Sequence, residues 1–156
     1  MQQEKKVLFV CLGNICRSPM AEGIFRDLVK KKGLEEQFFI DSCGTSSQHI
    51  GELADYRTRK IALKNNIEIN HKARKLSSND LETFDYILAM DTQNLVEIQR
   101  KAKFHQKEKI RLMMEYSELF PAERNVYDPY YDHEDKFEEV YNLLERSLSR
   151  FLNSIL

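Results

Sequence analysis

Four short apolar runs punctuate this chain, with helix-spaced stretches between them, and that alternation limits it to a small set of layered folds. The runs are Lys6–Val10, Phe38–Asp41, Tyr86–Met90 and Ile110–Met113, each of a length suited to a buried strand. Met20, Ile24, Phe25 and Leu28 share one helical face after Pro19. Leu53, Tyr56, Ile61 and Leu63 mark a second, less regular stretch, and Leu95 and Ile98 a third after Asp91. The last helix is the clearest, with Phe137, Val140, Tyr141, Leu144, Leu148, Phe151, Leu152 and Ile155 at steps of three and four. Strands alternating with helices imply βαβ crossovers and a parallel sheet covered on both faces. The expectation is one α/β domain over residues 1–156: three layers, with a central four-stranded parallel sheet flanked by helices. No internal repeat, low-complexity tract or linker interrupts it.

Charge narrows the partners. Lys plus Arg total 24 against 25 for Asp plus Glu, a net charge of −1. Such a balance offers no general attraction to nucleic acid or to an anionic membrane, so an anion must be caught by a local site. With 42% apolar and 31% charged residues, the chain has enough apolar material to fold rather than stay disordered. The polar start Met1–Lys6 and the short apolar run Val7–Leu12 do not resemble a secretory leader, and no stretch has the length of a membrane span. Three cysteines, Cys11, Cys16 and Cys43, are too few for a disulfide framework. A cytoplasmic location is expected, where cysteine pairs serve catalysis, metal binding or redox chemistry more than structure.

Two loops and one short segment concentrate the chemistry. The loop from Gly44 to Leu53 and the loop from about Glu115 to Asp135 both follow strand ends, where ligands bind in open α/β sheets. So does Cys11-Leu12-Gly13-Asn14-Ile15-Cys16-Arg17-Ser18. With a strand ending near Val10 and a helix opening near Pro19, these residues must fold into a compact loop at a helix N-terminus, after the first strand. Free backbone N–H groups and the helix dipole favour an anion there, and the same field favours a cysteine thiolate. Gly13 permits close backbone approach and Asn14 tolerates a left-handed conformation. Arg17 carries a planar fork of donors that fits two phosphate oxygens. Ser18 is placed to donate to the thiolate or to cap the helix. One segment thus supplies a nucleophile, an anion cradle and a charge stabiliser.

Cys11 alone would be a small core residue, and a bare cysteine–arginine spacing is common by chance; the preceding strand, the internal glycine and the following Ser-Pro give it meaning. Cys16 has two readings, passive packing or a reversible disulfide with Cys11 that shields the nucleophile from over-oxidation. Cys43 reads as core. Neither the cysteine spacing nor any cysteine or histidine cluster completes a zinc site. A phosphate ester's leaving oxygen also needs a proton donor, and among 25 acidic residues chemistry alone selects none.

At this point the sequence resembles the low-molecular-weight protein tyrosine phosphatase family. The matching pieces are Val10 through Glu22, then Asp41-Ser42-Cys43-Gly44-Thr45, His71-Lys72-Ala73-Arg74, Met90-Asp91 with Asn94, and Asp128-Pro129-Tyr130-Tyr131. They occur in family order along nearly the whole chain. The resemblance implies hydrolysis of phosphotyrosine and aryl phosphates through a phosphocysteine, with Cys11 as nucleophile, Arg17 binding phosphate and Asp128 as general acid and base. It implies that the loop residues Gly13, Asn14, Ile15, Cys16 and Ser18 bind substrate, with Leu12, Gln48, Tyr130 and Tyr131 around the ring. Asn14, Ser18, Ser42 and His71 match the polar network that supports the loop. No metal or other cofactor is implied. The expected partners are a phosphotyrosine protein or small aryl phosphate, with inorganic phosphate as product and the enzyme a monomer or weak dimer. Tyr130 and Tyr131 match positions that the family suggests as regulatory phosphorylation sites.

Two positions depart from the family pattern. Gln48, with His49 beside it, stands where many members carry an aromatic, and Asp132 stands where glycine is common; both bear on substrate preference rather than on the reaction. Two rivals fit less well. A thiol-linked arsenate reductase uses a similar loop but needs further cysteines, and none follows Cys43. A non-catalytic phosphotyrosine-binding module would lack the nucleophile or the acid.

Overall fold

The run Lys5–Cys11 forms strand β1, in which Val7, Leu8, Phe9 and Val10 are all fully buried. A strand apolar at every position must be covered on both faces, and its neighbours show how. The computed structural model describes residues 3–156. Strand β2 (Phe38–Gly44) lies on one side of β1, from Lys5 opposite Phe38 to Cys11 opposite Gly44. Strand β3 (Tyr86–Ala89) lies on the other, with Val10 opposite Ala89, and β4 (Ile110–Leu112) pairs outside β3. All pairings are parallel and the order is β2-β1-β3-β4. The chain therefore leaves β1 in one direction and returns to its other side, so a crevice opens beyond the carboxyl ends of β1 and β3.

Helices cover both faces. Helix α1 (Arg17–Lys31), α2 (Tyr56–Lys64) and α5 (Glu134–Ile155) pack together on the face that receives Val7, Phe9 and Cys11. Helices α3 (Ser78–Thr83) and α4 (Thr92–Lys101) lie over Leu8, Val10 and Cys43. The alternation of side chains along a strand thus builds two cores, one per face. Phe151 of α5 anchors the larger one, with ring contacts to Phe25, Tyr86 and Tyr116 at 4.8–5.6 Å. None of the described helices is long and apolar enough to cross a membrane.

Several elements depart from the sequence reading. Helix α1 begins at Arg17, so Pro19 is its third residue rather than its first. The opening N–H groups of a helix have no partner within it, so proline costs little there, and the earlier start aims the N–H groups of the first turn at the loop. In the second stretch only Ile61 is buried; Leu53, Tyr56 and Leu63 are exposed. The buried stripe is instead Thr58, Ile61 and Ala62, small enough to seat α2 closely. Helix α3 was not anticipated, although Ser77 and Asp80 form a capping box, a pattern visible in the sequence. Strand β2 runs on to Gly44 because Cys43 and Gly44 pair with Val10 and Cys11.

That extension constrains Gly44. A Cβ there would lie 2.7 Å from the Leu12 carbonyl oxygen and 3.2 Å from the Asn14 amide nitrogen. The next two residues bind the same loop, Thr45 N–H to the Cys11 carbonyl at 3.0 Å and Ser46 N–H to Leu12 at 2.9 Å. Because the colliding atoms are backbone, Gly44→Ala is expected to destabilise the fold by about 1–3 kcal/mol. A urea titration should show a lower midpoint at unchanged slope.

Candidate active site

Cys11 is the last residue of β1, and the chain turns sharply after it because Asn14 adopts a left-handed conformation, φ 57°. This turn brings the Asn14 N–H to 3.3 Å from Cys11 Sγ. Ser18, in the first turn of α1, places its Oγ 3.0 Å from the same sulfur. The Asn14 carboxamide donates to Ser18 Oγ at 2.7 Å, so the hydroxyl hydrogen is shared between the sulfur and the Cys43 carbonyl, 3.4 Å away. The Asn14 N–H and the Ser18 hydroxyl therefore both face the sulfur of Cys11, a residue only 3% exposed.

Asn14 is itself held from all sides. Its amide nitrogen also donates to Ser42 Oγ at 3.0 Å, and its oxygen accepts from the Arg74 N–H at 3.0 Å. His71 Nε2 lies 2.7 Å from that oxygen; since the oxygen only accepts, Nε2 carries a hydrogen. On the far side, His71 Nδ1 lies 3.3 Å from Glu22 and 3.4 Å from Asp41. Ser42 donates to Glu22 at 2.7 Å. Glu22, Asp41 and His71 bring three candidate metal-ligand atoms within 4.8 Å of one another. Hydrogen bonds from Ser42 and Arg26 to Glu22, and from Arg74 to Asp41, already engage the two carboxylates.

Arg17 leaves the loop toward the ends of β3 and the segment after it. Its Nη1 donates to Asp91 at 2.7 Å and to the Val126 carbonyl at 2.9 Å, while Nη2 lies 3.6 Å from Asp128. Burial disfavours its charge, but Cys11, Asp91 and Asp128 more than offset this and hold the guanidinium protonated. Asp91 serves twice, because its other oxygen caps α4 through the Asn94 N–H at 2.7 Å. Asp128 is partly exposed, with one oxygen accepting from the Tyr130 N–H at 3.2 Å.

One pocket gathers these groups. Cys11, Leu12, Gly13, Ile15, Cys16 and Arg17 line it from the loop. Gln48, His49, Asp128, Tyr130 and Tyr131 form its wall and rim. Tyr130 and Tyr131 meet edge to face at 4.9 Å, and Tyr131 stands 94% exposed. Asn14 and Ser18 turn their side chains into the interior, where they brace the loop with Ser42 and His71, the supporting network that the resemblance implies. Their inward turn follows from the left-handed backbone at Asn14, which points its carboxamide at β2. Cys16 is buried under the pocket; burial, then Asp55 and Cys11, push its thiol up. Cys43 is fully buried behind the loop, and burial pushes its thiol up as well. Among the described residues all three cysteines are free thiols.

Asp91, Glu22, Asp41 and Arg74 fall within the family-matching pieces of the sequence and His49 beside Gln48, but the sequence assigned none of them a role in this site. Asp91 was read as a helix start and as part of the Met90-Asp91 match, without a partner. His49 lies close enough to the loop that a Cβ on Gly13 would meet its ring carbon at 3.0 Å. Conversely, Asp132, which sequence alone could not rank below Asp128, faces elsewhere and accepts from the Tyr127 hydroxyl at 2.7 Å.

The model of low molecular weight phosphotyrosine protein phosphatases matches residues 6–156. A low molecular weight phosphotyrosine protein phosphatase of Schizosaccharomyces pombe is 47% identical over 156 residues, covering 99% of each chain. A protein tyrosine phosphatase structure from Entamoeba histolytica superposes with a TM-score of 0.93 at 36% identity, covering 97% of both chains. A Drosophila arginine phosphatase structure superposes at 0.89 with 35% identity, covering 96% of this chain and 97% of that one. A thiol cradled at the switch point of a parallel sheet and likeness across nearly the full length lead to one conclusion: the chain belongs to the low molecular weight phosphotyrosine protein phosphatase family.

Proposed function

We propose that Cys11 is the nucleophile, Arg17 the phosphate-binding arginine and Asp128 the general acid and base of a two-step phosphotyrosine hydrolysis. The observation that carries this reading is the convergence of a donor-stabilised sulfur, a fixed guanidinium and a carboxylate on one pocket. In the first step the Cys11 thiolate forms a bond to phosphorus as the ester P–O bond breaks. Asp128 gives its proton to the departing phenolate. Arg17 and the loop N–H groups hold the equatorial oxygens and bind them more tightly as charge redistributes. In the second step water attacks the phosphocysteine, the S–P bond breaks, and Asp128 takes the water's proton; inorganic phosphate leaves.

Leu12, Tyr130 and Tyr131 supply apolar surface for a phenyl ring, and Gln48 sets a polar rim. The substrate class that fits is a phosphotyrosine protein or a small aryl phosphate. No part of the scheme calls for a cofactor. Cys16 beneath the pocket supports a redox role: a peroxide that oxidises Cys11 to its sulfenic acid leaves it open to the Cys16 thiol, giving a disulfide and water. The cysteine usage supports a cytoplasmic setting.

Turnover of phosphotyrosine, phosphoserine and phosphoarginine peptides tests the substrate class; phosphotyrosine should be preferred, and equal rates on phosphoserine would contradict a pocket built for a ring. Cys11→Ser should reduce turnover to background while phosphate binding, followed by calorimetry, persists. Asp128→Ala should lower kcat/KM by about 100-fold or more for phenyl phosphate and markedly less for 4-nitrophenyl phosphate, whose leaving group needs less protonation. A leaving-group series measures the difference.

A further inference from the structure

Arg57 has no task in that scheme, yet it joins both halves of the site. It is the second residue of α2, and Asp55 caps that helix by accepting the Arg57 N–H at 2.8 Å. The Asp55 N–H in turn donates to the Ile15 carbonyl at 2.7 Å, so this turn is fastened to the phosphate loop. From that anchor the guanidinium reaches the segment that carries Asp128. Its Nη1 donates to the Asp132 carbonyl at 2.6 Å and its Nη2 to the Tyr130 carbonyl at 2.8 Å. The remaining contacts fix its plane: Nε and Nη2 meet the two Asp55 oxygens at 3.0 and 2.9 Å, and the Phe137 ring lies 4.3 Å away.

Few backbone bonds hold the segment it grips. Residues 127–132 form no strand or helix. Val126 fixes the near end through its N–H to Met90 and its carbonyl to Arg17. Within the segment, the Asp132 N–H to the Pro129 carbonyl is the backbone bond among the described residues. The carbonyl Arg57 grips belongs to Tyr130, whose N–H orients the Asp128 carboxylate.

We propose that Arg57 is a positioning residue for proton transfer: it clamps the Tyr130 and Asp132 carbonyls so that Asp128 stays aimed into the pocket beside Cys11. The inference rests on Asp128 being the acid. A plain helix-capping ion pair with Asp55 would affect stability but not the dependence of rate on leaving group. The clamp predicts that Arg57→Met, which keeps a side chain against Phe137 but removes the donors, loses kcat/KM about 10-fold more on phenyl phosphate than on 4-nitrophenyl phosphate. Inhibition by inorganic phosphate should stay unchanged. Arg57→Lys should recover part of the loss, because it restores one donor. In the Asp128→Ala background, Arg57→Met should add little, since both act on the same proton. Equal losses on the two substrates, or full additivity with Asp128→Ala, would overturn the clamp while leaving Asp128 as the acid. If Asp128→Ala itself shows no leaving-group dependence, the acid assignment fails and the clamp with it. Should Arg57→Met not fold, Arg57→Lys against Arg57→Gln carries the same two-substrate comparison.

Discussion

The site depends on one buried carboxamide. Asn14 is 1% exposed and left-handed, and its side chain is engaged by Ser18, Ser42, His71 and the Arg74 backbone. Asparagine tolerates this left-handed backbone, and these contacts fix it there. Its backbone N–H and, through Ser18, its side chain both serve Cys11 Sγ. The geometry that supports a thiolate is thus secured from behind the loop, by groups that do not face the pocket. Glu22, Asp41 and His71 extend that support outward to α1 and β2.

Sheet topology explains why the other parts can meet there. Because β1 has β2 on one side and β3 on the other, the carboxyl ends of β1 and β3 flank an open crevice. Cys11 ends β1, Asp91 follows β3 and caps α4, and Val126 returns to bond Met90. Arg17 joins all three, since it rises from the Cys11 loop and binds both Asp91 and the Val126 carbonyl. Arg57 spans the opposite edge from α2 to the Tyr130 segment. Two arginines therefore tie a loose segment to two rigid elements, and planar guanidinium forks suit that task better than point charges would.

Where local chemistry dictates the outcome, the sequence was legible. The four strands lie close to the apolar runs, and α5 follows its periodicity closely, with Phe137, Val140, Tyr141, Leu144, Leu148, Phe151 and Leu152 all buried. Helix α2 was legible only in part, because which of its faces is buried depends on α1 and α5, not on its own spacing. The start of α1 was misplaced by two residues since proline tolerates several positions in a first turn.

By itself, the sequence determined the layered α/β class, the phosphate loop between β1 and α1, and the residue types needed for thiolate chemistry on an oxyanion. All of these arise from neighbours along the chain: strand periodicity, a helix N-terminus and a short loop. The position of the Asp128 carboxylate at the pocket, the turn of the Asn14 and Ser18 side chains toward the interior, the double duty of Asp91 and the reach of Arg57 were decided by the tertiary structure. Each joins segments far apart in the chain, and only the parallel sheet brings those segments to one edge. Among the many carboxylates, Asp128 is distinguished from Asp132 by which way a loop without regular structure points, and contacts from elsewhere in the fold set that direction.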